Sequence, residues 1–324
     1  MLEYKKAIFR WKQFGGWRMI KAYIRLGVLL TFLKEVIKVI FSRRPLKTAY
    51  PGVSKKIEPI LRKQYSPLLE QLSEKYNDMS LEHRRNDTIY SSWMQGYGKA
   101  PLLVKMCLTS QRKYIKNKKF VLITSENQQD YITLPDYIEE KCRKGIIPYA
   151  VYTDLVRLEL LIKYGGTWID STVLCIDGNY PKEMLNSDLF LFWFKEEKNE
   201  KYKGFSSWFM SACSNNKMLL MARDLLYQYW RDYDCLIDYF VFHKFLWMLK
   251  DAFPEEFAAM PQYCSYDALQ IGYVLEKECD DRQMDEFLKN SSFHKLDYRK
   301  SKEYTDDGKR TYYKRIIDDY AKAL

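Results

Sequence analysis

The segment of residues 153–172 constrains the fold of this chain most strongly, because it reads as a helix, a glycine break and a short strand in that order. Leucine and isoleucine recur at helical spacing through its first half. Gly165 and Gly166 predict the end of this helix, since glycine adopts the left-handed conformation of a helix C-cap at little cost. The β-branched and aromatic residues 167–169 then predict a strand.

Three charged residues of this segment are candidate ligand contacts. Asp154 and Arg157 are three positions apart, so on a helix they share one face. Asp170 stands where the predicted strand ends, and ligands of α/β folds bind at the carboxyl ends of strands. Carboxylates and an arginine in this arrangement suit the hydroxyls and phosphates of a sugar nucleotide.

Strand and helix patterns alternate through the rest of the chain. Strands are predicted at 89–93, 120–123 and 189–194, and helices at 54–83, 102–114, 134–142, 150–164, 218–229 and 238–249. This alternation favours an α/β fold with a mostly parallel sheet flanked by helices.

The central segment resembles the family 32 nucleotide-sugar glycosyltransferases and the related capsular polysaccharide synthesis proteins. Their signature combines an Asp-x-x-Arg helix, a Tyr-Gly-Gly turn and an Asp-x-Asp-like strand end. Residues 88–96, TIYSSWMQG, resemble the first strand and loop of these proteins, and His294-Lys295-Leu296 resembles the late motif of the capsular branch. The resemblance covers about residues 86–300.

The resemblance implies a GT-A type, Rossmann-like fold and a hexosyltransferase that uses a nucleotide-sugar donor, a UDP-sugar by preference. The acceptor would be a lipid-linked saccharide or a growing capsular or surface polysaccharide. By the same resemblance, Trp93 and Gln95 would hold the base and ribose. Asp154, Arg157 and Asp170 would be the catalytic residues: the first two would contact sugar hydroxyls and diphosphate, and Asp170 would hold ribose, sugar or metal.

A divalent metal, Mn²⁺ or Mg²⁺, is the cofactor that the resemblance implies, with Asp170, Thr172 and His294 as its candidate ligands. Thr172 replaces the last acid of the Asp-x-Asp pattern, and these cations prefer charged oxygen ligands. Lys295 is expected to offset the charge of the diphosphate as the leaving group departs. No catalytic base can be named from the sequence.

Two other functions remain open at this point. A glycoside hydrolase would need two carboxylates across a cleft, for which only Asp154 and Asp170 stand out. A non-catalytic sugar-nucleotide or membrane-binding protein is favoured by Thr172 in place of an acid. Gly-x-x-x-x-Gly-Lys, Gly-x-Gly-x-x-Gly, Gly-x-Ser-x-Gly and His-Glu-x-x-His are absent, which weakens kinase, dehydrogenase, esterase and metalloprotease interpretations.

The net charge of +11 is concentrated in the first 47 residues, which hold twelve Lys or Arg and two acids and carry +10. The remaining residues carry +1, so no nucleic-acid partner is expected.

Apolar residues recur at helical spacing over 20–40, and the longest uncharged run there, 26–33, is too short for a bilayer span. We expect residues 1–50 to form a basic amphipathic arm on an anionic membrane surface and residues 51–324 to form the transferase domain. Packing of the arm on the protein itself, or an oligomer contact, is the alternative.

The seven cysteines are odd in number and include no Cys-x-x-Cys pair. This usage indicates a reducing compartment with free thiols. No signal peptide is recognised, because charges interrupt every candidate apolar core. The expected location is therefore the cytoplasm, at the inner face of the cell membrane.

Overall fold

Helices and strands alternate along the computed structural model, which describes residues 11–12, 14–41, 50–194 and 204–321. The helices are α1 Trp17–Arg25, α2 Leu29–Phe41, α3 Pro51–Asn77, α4 Leu102–Tyr114, α5 Gln128–Tyr131, α6 Asp136–Arg143, α7 Tyr149–Tyr164, α8 Glu183–Asn186, α9 Lys217–Asp232, α10 Val241–Ala252, α11 Pro254–Ala258, α12 Ser265–Val274, α13 Asp281–Asn290 and α14 Tyr312–Tyr320. The strands are β1 Thr88–Ser92, β2 Lys119–Ile123, β3 Gly166–Ile169, β4 Val173–Cys175, β5 Leu189–Phe194, β6 Gly204–Ala212 and β7 Phe293–Lys295.

Five strands form the main sheet in the order β2-β1-β3-β6-β5. β1 pairs in parallel with β2 and β3, whereas β6 is antiparallel to β3 and to β5. Four of the five strands therefore run in one direction. Helices α8 and α12 pack against strands of this sheet. The predicted α/β fold with a mostly parallel sheet flanked by helices is confirmed.

β4 and β7 form a second, antiparallel sheet that the sequence patterns did not predict. Each strand has three residues, too few to show a periodicity of their own. Their register pairs Val173 with Lys295 and Leu174 with His294. This small sheet brings the late motif of the chain next to the segment that follows Asp170.

The glycine pair connects α7 to β3 as predicted, and the structure explains why both residues are glycine. Gly165 has φ +69° and Gly166 has φ +103°, a region that side chains with a Cβ avoid. A Cβ on Gly165 would lie 2.7 Å from the carbonyl oxygen of Arg84, and one on Gly166 would lie 2.6 Å from that of Thr88. Gly166 is already the first residue of β3, so the break between helix and strand is Gly165 alone, one residue shorter than predicted.

The chain divides into two compact units. The first comprises residues 1–81, 134–159 and 217–255, and its described elements are helices. The second comprises residues 82–133, 160–216 and 256–324 and contains both sheets. The predicted boundary between an arm and a transferase domain at residue 50 stays a prediction.

Residues 17–41 of the arm form two helices rather than the single helix predicted, because the chain turns at Gly27, which has φ +66°. Val28 and Phe32, which belong to the predicted apolar stripe, are buried, and the Phe32 ring packs edge to face on Tyr23 and Tyr50. Among the described helices, none is both long enough and apolar enough to cross a membrane. Residues 1–10, 13 and 42–49 of the predicted arm lie outside the described ranges.

The cysteines agree with the predicted free thiols. All seven lie in the described ranges and none forms a disulfide there, and Cys107, Cys175, Cys213 and Cys235 are buried. Burial raises the pKa of each of these four thiols, so they stay protonated at neutral pH. The compartment in which the protein resides stays a prediction.

Candidate functional site

Asp170 begins the tight turn between β3 and β4. Its backbone N–H donates to the carbonyl of Trp208 at 2.8 Å, and its own carbonyl accepts from the N–H of Val173 at 3.0 Å. Ile169 and Val173, on either side of the turn, are completely buried in the core of the sheet unit. The position of Asp170 is therefore fixed by the core rather than by a mobile loop.

Gln111, which the sequence analysis missed, supports the same turn from helix α4. Its side-chain N–H₂ donates to the carbonyl of Asp170 at 3.0 Å and to that of Val173 at 2.8 Å. The residue is fully buried. Buried amides need hydrogen-bond partners, so a glutamine on the apolar face of the predicted helix was an available signal that it holds backbone groups.

Both carboxylate oxygens of Asp170 accept hydrogen bonds. The Trp168 indole N–H donates to Oδ1 and the Lys295 ammonium donates to Oδ2, each at 2.8 Å. The same ammonium donates to the Thr172 hydroxyl at 2.5 Å. The side chains of Asp170 and Lys295 are 23% and 24% exposed, so a ligand from solvent can reach them. The structure thus brings together three residues that the sequence analysis singled out separately.

Trp93 lies at the same edge of the main sheet. It directly follows β1, which pairs in parallel with β3, so the carboxyl ends of the two strands are neighbours. Its ring packs edge to face on Tyr298 with centroids 5.2 Å apart. Tyr298 was also missed, although it stands three positions after Lys295. Gln95 is exposed in the turn closed by the Gly96 N–H and the Trp93 carbonyl at 2.9 Å.

Asp154 and Arg157 form a buried ion pair on α7, in the helical unit. The Arg157 guanidinium donates to Asp154 Oδ1 at 2.6 Å, and the side chains are 4% and 11% exposed for Arg157 and Asp154 respectively. The predicted common face of the helix is therefore observed. Their predicted contacts with the donor stay predictions.

His294 is fully buried and points away from the Asp170 group. Side chains alternate along a strand, so His294 and Lys295 lie on opposite faces of β7. Burial lowers the pKa of His294 from 6.5 to about 4, while the nearby Ser291 backbone and the charge of Asp177 oppose this shift only in part. The imidazole is neutral at physiological pH.

The group formed by Asp170, Thr172 and Lys295 does not by itself suit a divalent metal. These three residues offer one carboxylate, one neutral hydroxyl and an ammonium, whereas Mg²⁺ and Mn²⁺ favour several charged or carbonyl oxygens. Within the described ranges, no group of three or more His, Cys, Asp or Glu side chains is placed to hold a metal ion. His294, the third candidate ligand, is on the far face of its strand.

The sequence profile of the family described as "Capsular polysaccharide synthesis protein" matches residues 38–316, a range that contains every strand of both sheets and ends within α14. The chain belongs to this family. Among solved structures, the chain is similar to one titled "PaToxG Glycosyltransferase", with 16% identity and a TM-score of 0.37 over 61% of this chain and 80% of that one. No curated protein sequence matches.

Proposed function

We propose that this chain is a glycosyltransferase that takes a sugar from a nucleotide donor during the synthesis of capsular or related surface polysaccharide. The observation that carries the proposal is the group of Asp170, Thr172 and Lys295 at the carboxyl end of β3, beside Trp93 at the end of β1. Nucleotides bind at this edge of open α/β sheets. A GT-A type arrangement of the sheet unit belongs to the same proposal.

Each residue of the group has a chemical role in this proposal. Asp170 accepts hydrogen bonds from ribose or sugar hydroxyls, and the Trp93 ring offers an apolar face to the base, which is uracil by preference. Sugar transfer passes through an oxocarbenium-like transition state as the diphosphate leaves. The Lys295 ammonium stabilises the negative charge that develops on the diphosphate. The roles of Asp154, Arg157 and Gln95 stay as predicted from the family pattern.

The exposed face of α2 supports a membrane surface as a further partner. Leu30 and Phe41 are 73% and 84% exposed, and Leu33 and Ile37 on the same helix face are exposed as well. Lys34 and Lys38 are exposed beside them. An apolar helix face flanked by lysines is complementary to a leaflet with anionic headgroups. This face differs from the stripe predicted from the sequence, of which Val28 and Phe32 are buried.

A lipid-linked acceptor follows from the same arrangement. An enzyme that lies on the inner face of the cell membrane meets acceptors carried by lipids in that leaflet, while its nucleotide-sugar donor is supplied from the cytoplasm. The acceptor of this proposal is therefore a lipid-linked saccharide of a growing surface polysaccharide.

Calorimetric titration of the full chain with UDP-, GDP-, CMP- and dTDP-sugars tests the proposed donor site. We expect one nucleotide class to bind, and Asp170→Asn to weaken that binding about tenfold or more, because a charge-assisted hydrogen bond to the ligand is lost. Asp306→Asn is the matched control, since the Asp306 side chain is 95% exposed on the surface. Absence of binding by every class, or unchanged binding by the Asp170 variant, would overturn the proposal.

A further inference from the structure

The Lys295 ammonium lies between the two side chains that would hold the metal in the Asp-x-Asp pattern. It donates to Asp170 Oδ2 at 2.8 Å and to Thr172 Oγ1 at 2.5 Å. An ammonium has three N–H donors, and these two oxygens are its hydrogen-bond partners among the described residues. One donor is left for a ligand oxygen at a position that solvent reaches.

We propose that Lys295 takes the place of the divalent cation, so that the diphosphate of the nucleotide binds to the ammonium and no metal ion is required. This inference rests on the proposed function, because it concerns how the same site holds its donor. It departs from the metal dependence that the Asp-x-Asp resemblance implies.

The fold fixes Lys295 in this position. The Leu296 N–H donates to the carbonyl of Thr172 at 2.9 Å, and Lys295 pairs with Val173 in the small sheet. His294 and Leu296, the neighbours of Lys295 in the chain, are buried. Because its backbone is held on both sides, the lysine side chain starts beside Thr172, and a metal ion bound to Asp170 Oδ2 and Thr172 would have to displace its ammonium.

A threonine at position 172 suits a site whose cation is an ammonium rather than a metal ion. Asp170 and Lys295 carry opposite charges and Thr172 is neutral, so the group as a whole has no net charge. A second carboxylate at position 172 would give the group a negative charge that repels a diphosphate unless a metal ion compensates it. A hydroxyl instead accepts a hydrogen bond from the ammonium without adding charge.

The direct test compares binding of the nucleoside diphosphates UDP, GDP, CDP and dTDP by calorimetry, first with EDTA and then with Mn²⁺. We expect the preferred one to bind the wild-type chain with affinities that differ by less than about twofold between the two conditions. Affinity that is lost in EDTA would overturn this inference and leave the proposed function standing. Absence of binding in both conditions would overturn both.

Variants of Lys295 provide a second test of this inference. We expect Lys295→Met to weaken metal-free binding about tenfold or more and Lys295→Arg to retain most of it, because the arginine keeps the charge. Lys289→Met, at an exposed position on α13, is the control for a lost surface lysine. Unchanged metal-free binding by Lys295→Met would overturn the inference. If that variant does not fold, the comparison of wild-type binding in EDTA and in Mn²⁺ decides whether the inference holds.

A variant designed to bind a divalent metal ion in place of the Lys295 ammonium completes the test. The double variant Thr172→Asp/Lys295→Met restores the second acid and removes the ammonium. We expect it to bind the nucleoside diphosphate with Mn²⁺ and to lose that binding in EDTA, as two carboxylates and a diphosphate can share a divalent ion. Equal binding in both conditions would count against the exchange of ammonium for metal.

Discussion

Asp170 owes its position to hydrogen bonds with one neighbour in the sequence and with three residues that are distant in it. Gln111 holds its backbone carbonyl, Trp168 and Lys295 hold its two carboxylate oxygens, and its backbone N–H donates to the Trp208 carbonyl. A side chain held from several directions is preorganised for a ligand, because little ordering remains to be done on binding. The buried Asp154–Arg157 pair on α7 and the buried His294 also depend on their surroundings. Their effects are expected in the free energy of unfolding of the chain.

We expect Asp154→Asn to lower the free energy of unfolding by about 3 kcal/mol, because it removes the carboxylate that lies 2.6 Å from the guanidinium of Arg157, whose side chain is only 4% exposed. Urea denaturation followed by circular dichroism measures the change. Glu140→Gln is the matched control, since Glu140 on α6 forms an exposed pair with Lys144, which follows the helix. Equal stability of the Asp154 variant and the control would show that the buried pair contributes little.

His294 gives stability a defined pH dependence. Burial depresses its pKa to about 4 in the folded chain from 6.5, so between these two pH values the unfolded chain binds the proton and the folded chain does not. Stability therefore falls as the pH decreases from 6.5 to about 4, by up to about 3 kcal/mol for this residue. Carboxylates titrate in the same range.

The contribution of His294 is isolated by comparing the pH dependence of the unfolding free energy in wild type and His294→Gln. We expect a smaller slope between pH 6.5 and 4 in the variant, since glutamine does not titrate. Identical slopes in the two proteins would contradict the buried, neutral state of this imidazole.

The connection from α7 to β3 shows how far an element can be predicted from its residues. Its helix, glycines and strand were all recognised, as were the bounds of α4 and β5, because each carries its own periodicity or conformational signal. β4 and β7 were not recognised, since three-residue strands form only through pairing between residues near 174 and residues near 294. The candidate site likewise depends on contacts between residues that are distant in the sequence. Asp170, Thr172 and Lys295 were selected, but their mutual contacts and the part of Gln111 depend on packing that the sequence does not display.

We expect Gly166→Ala to destabilise the fold by about 2 kcal/mol or more, because its φ of +103° is unfavourable for alanine and its Cβ would lie 2.6 Å from the carbonyl of Thr88. Gly98→Ala is the control, since its φ is not in the left-handed region and a Cβ there meets nothing within 4 Å. Thermal unfolding of the two variants compares them. A Gly166 variant as stable as the Gly98 variant would contradict the described geometry of the break.

The charge of the whole molecule is concentrated in its first 47 residues, while the remaining chain is nearly neutral. The described part of this region has apolar and basic side chains exposed on one helix, α2. Such a distribution is consistent with the proposed contact of this region with an anionic surface. The membrane surface stays a prediction, and two residues of the apolar stripe predicted for it, Val28 and Phe32, are buried in the tertiary structure.

We expect the double variant Leu30→Gln/Phe41→Gln to bind vesicles of phosphatidylglycerol and phosphatidylethanolamine about tenfold or more weakly than wild type, since it removes apolar area from the bound face. Cosedimentation with the vesicles measures this, and added salt should weaken wild-type binding as well. Leu102→Gln, another exposed leucine, is the control. Equal binding of wild type to vesicles without anionic lipid, or unchanged binding by the double variant, would refute the membrane contact.

The most direct test of the proposed activity follows a radiolabelled sugar from the nucleotide donor that binds best. Purified chain, donor and a lipid extract that contains lipid-linked saccharides are incubated together, and label is counted in the lipid fraction and as free sugar. We expect label to enter the lipid fraction with the wild-type chain and not with Asp170→Asn. Label released only as free sugar, or incorporation that does not depend on Asp170, would contradict a glycosyltransferase that acts through this site.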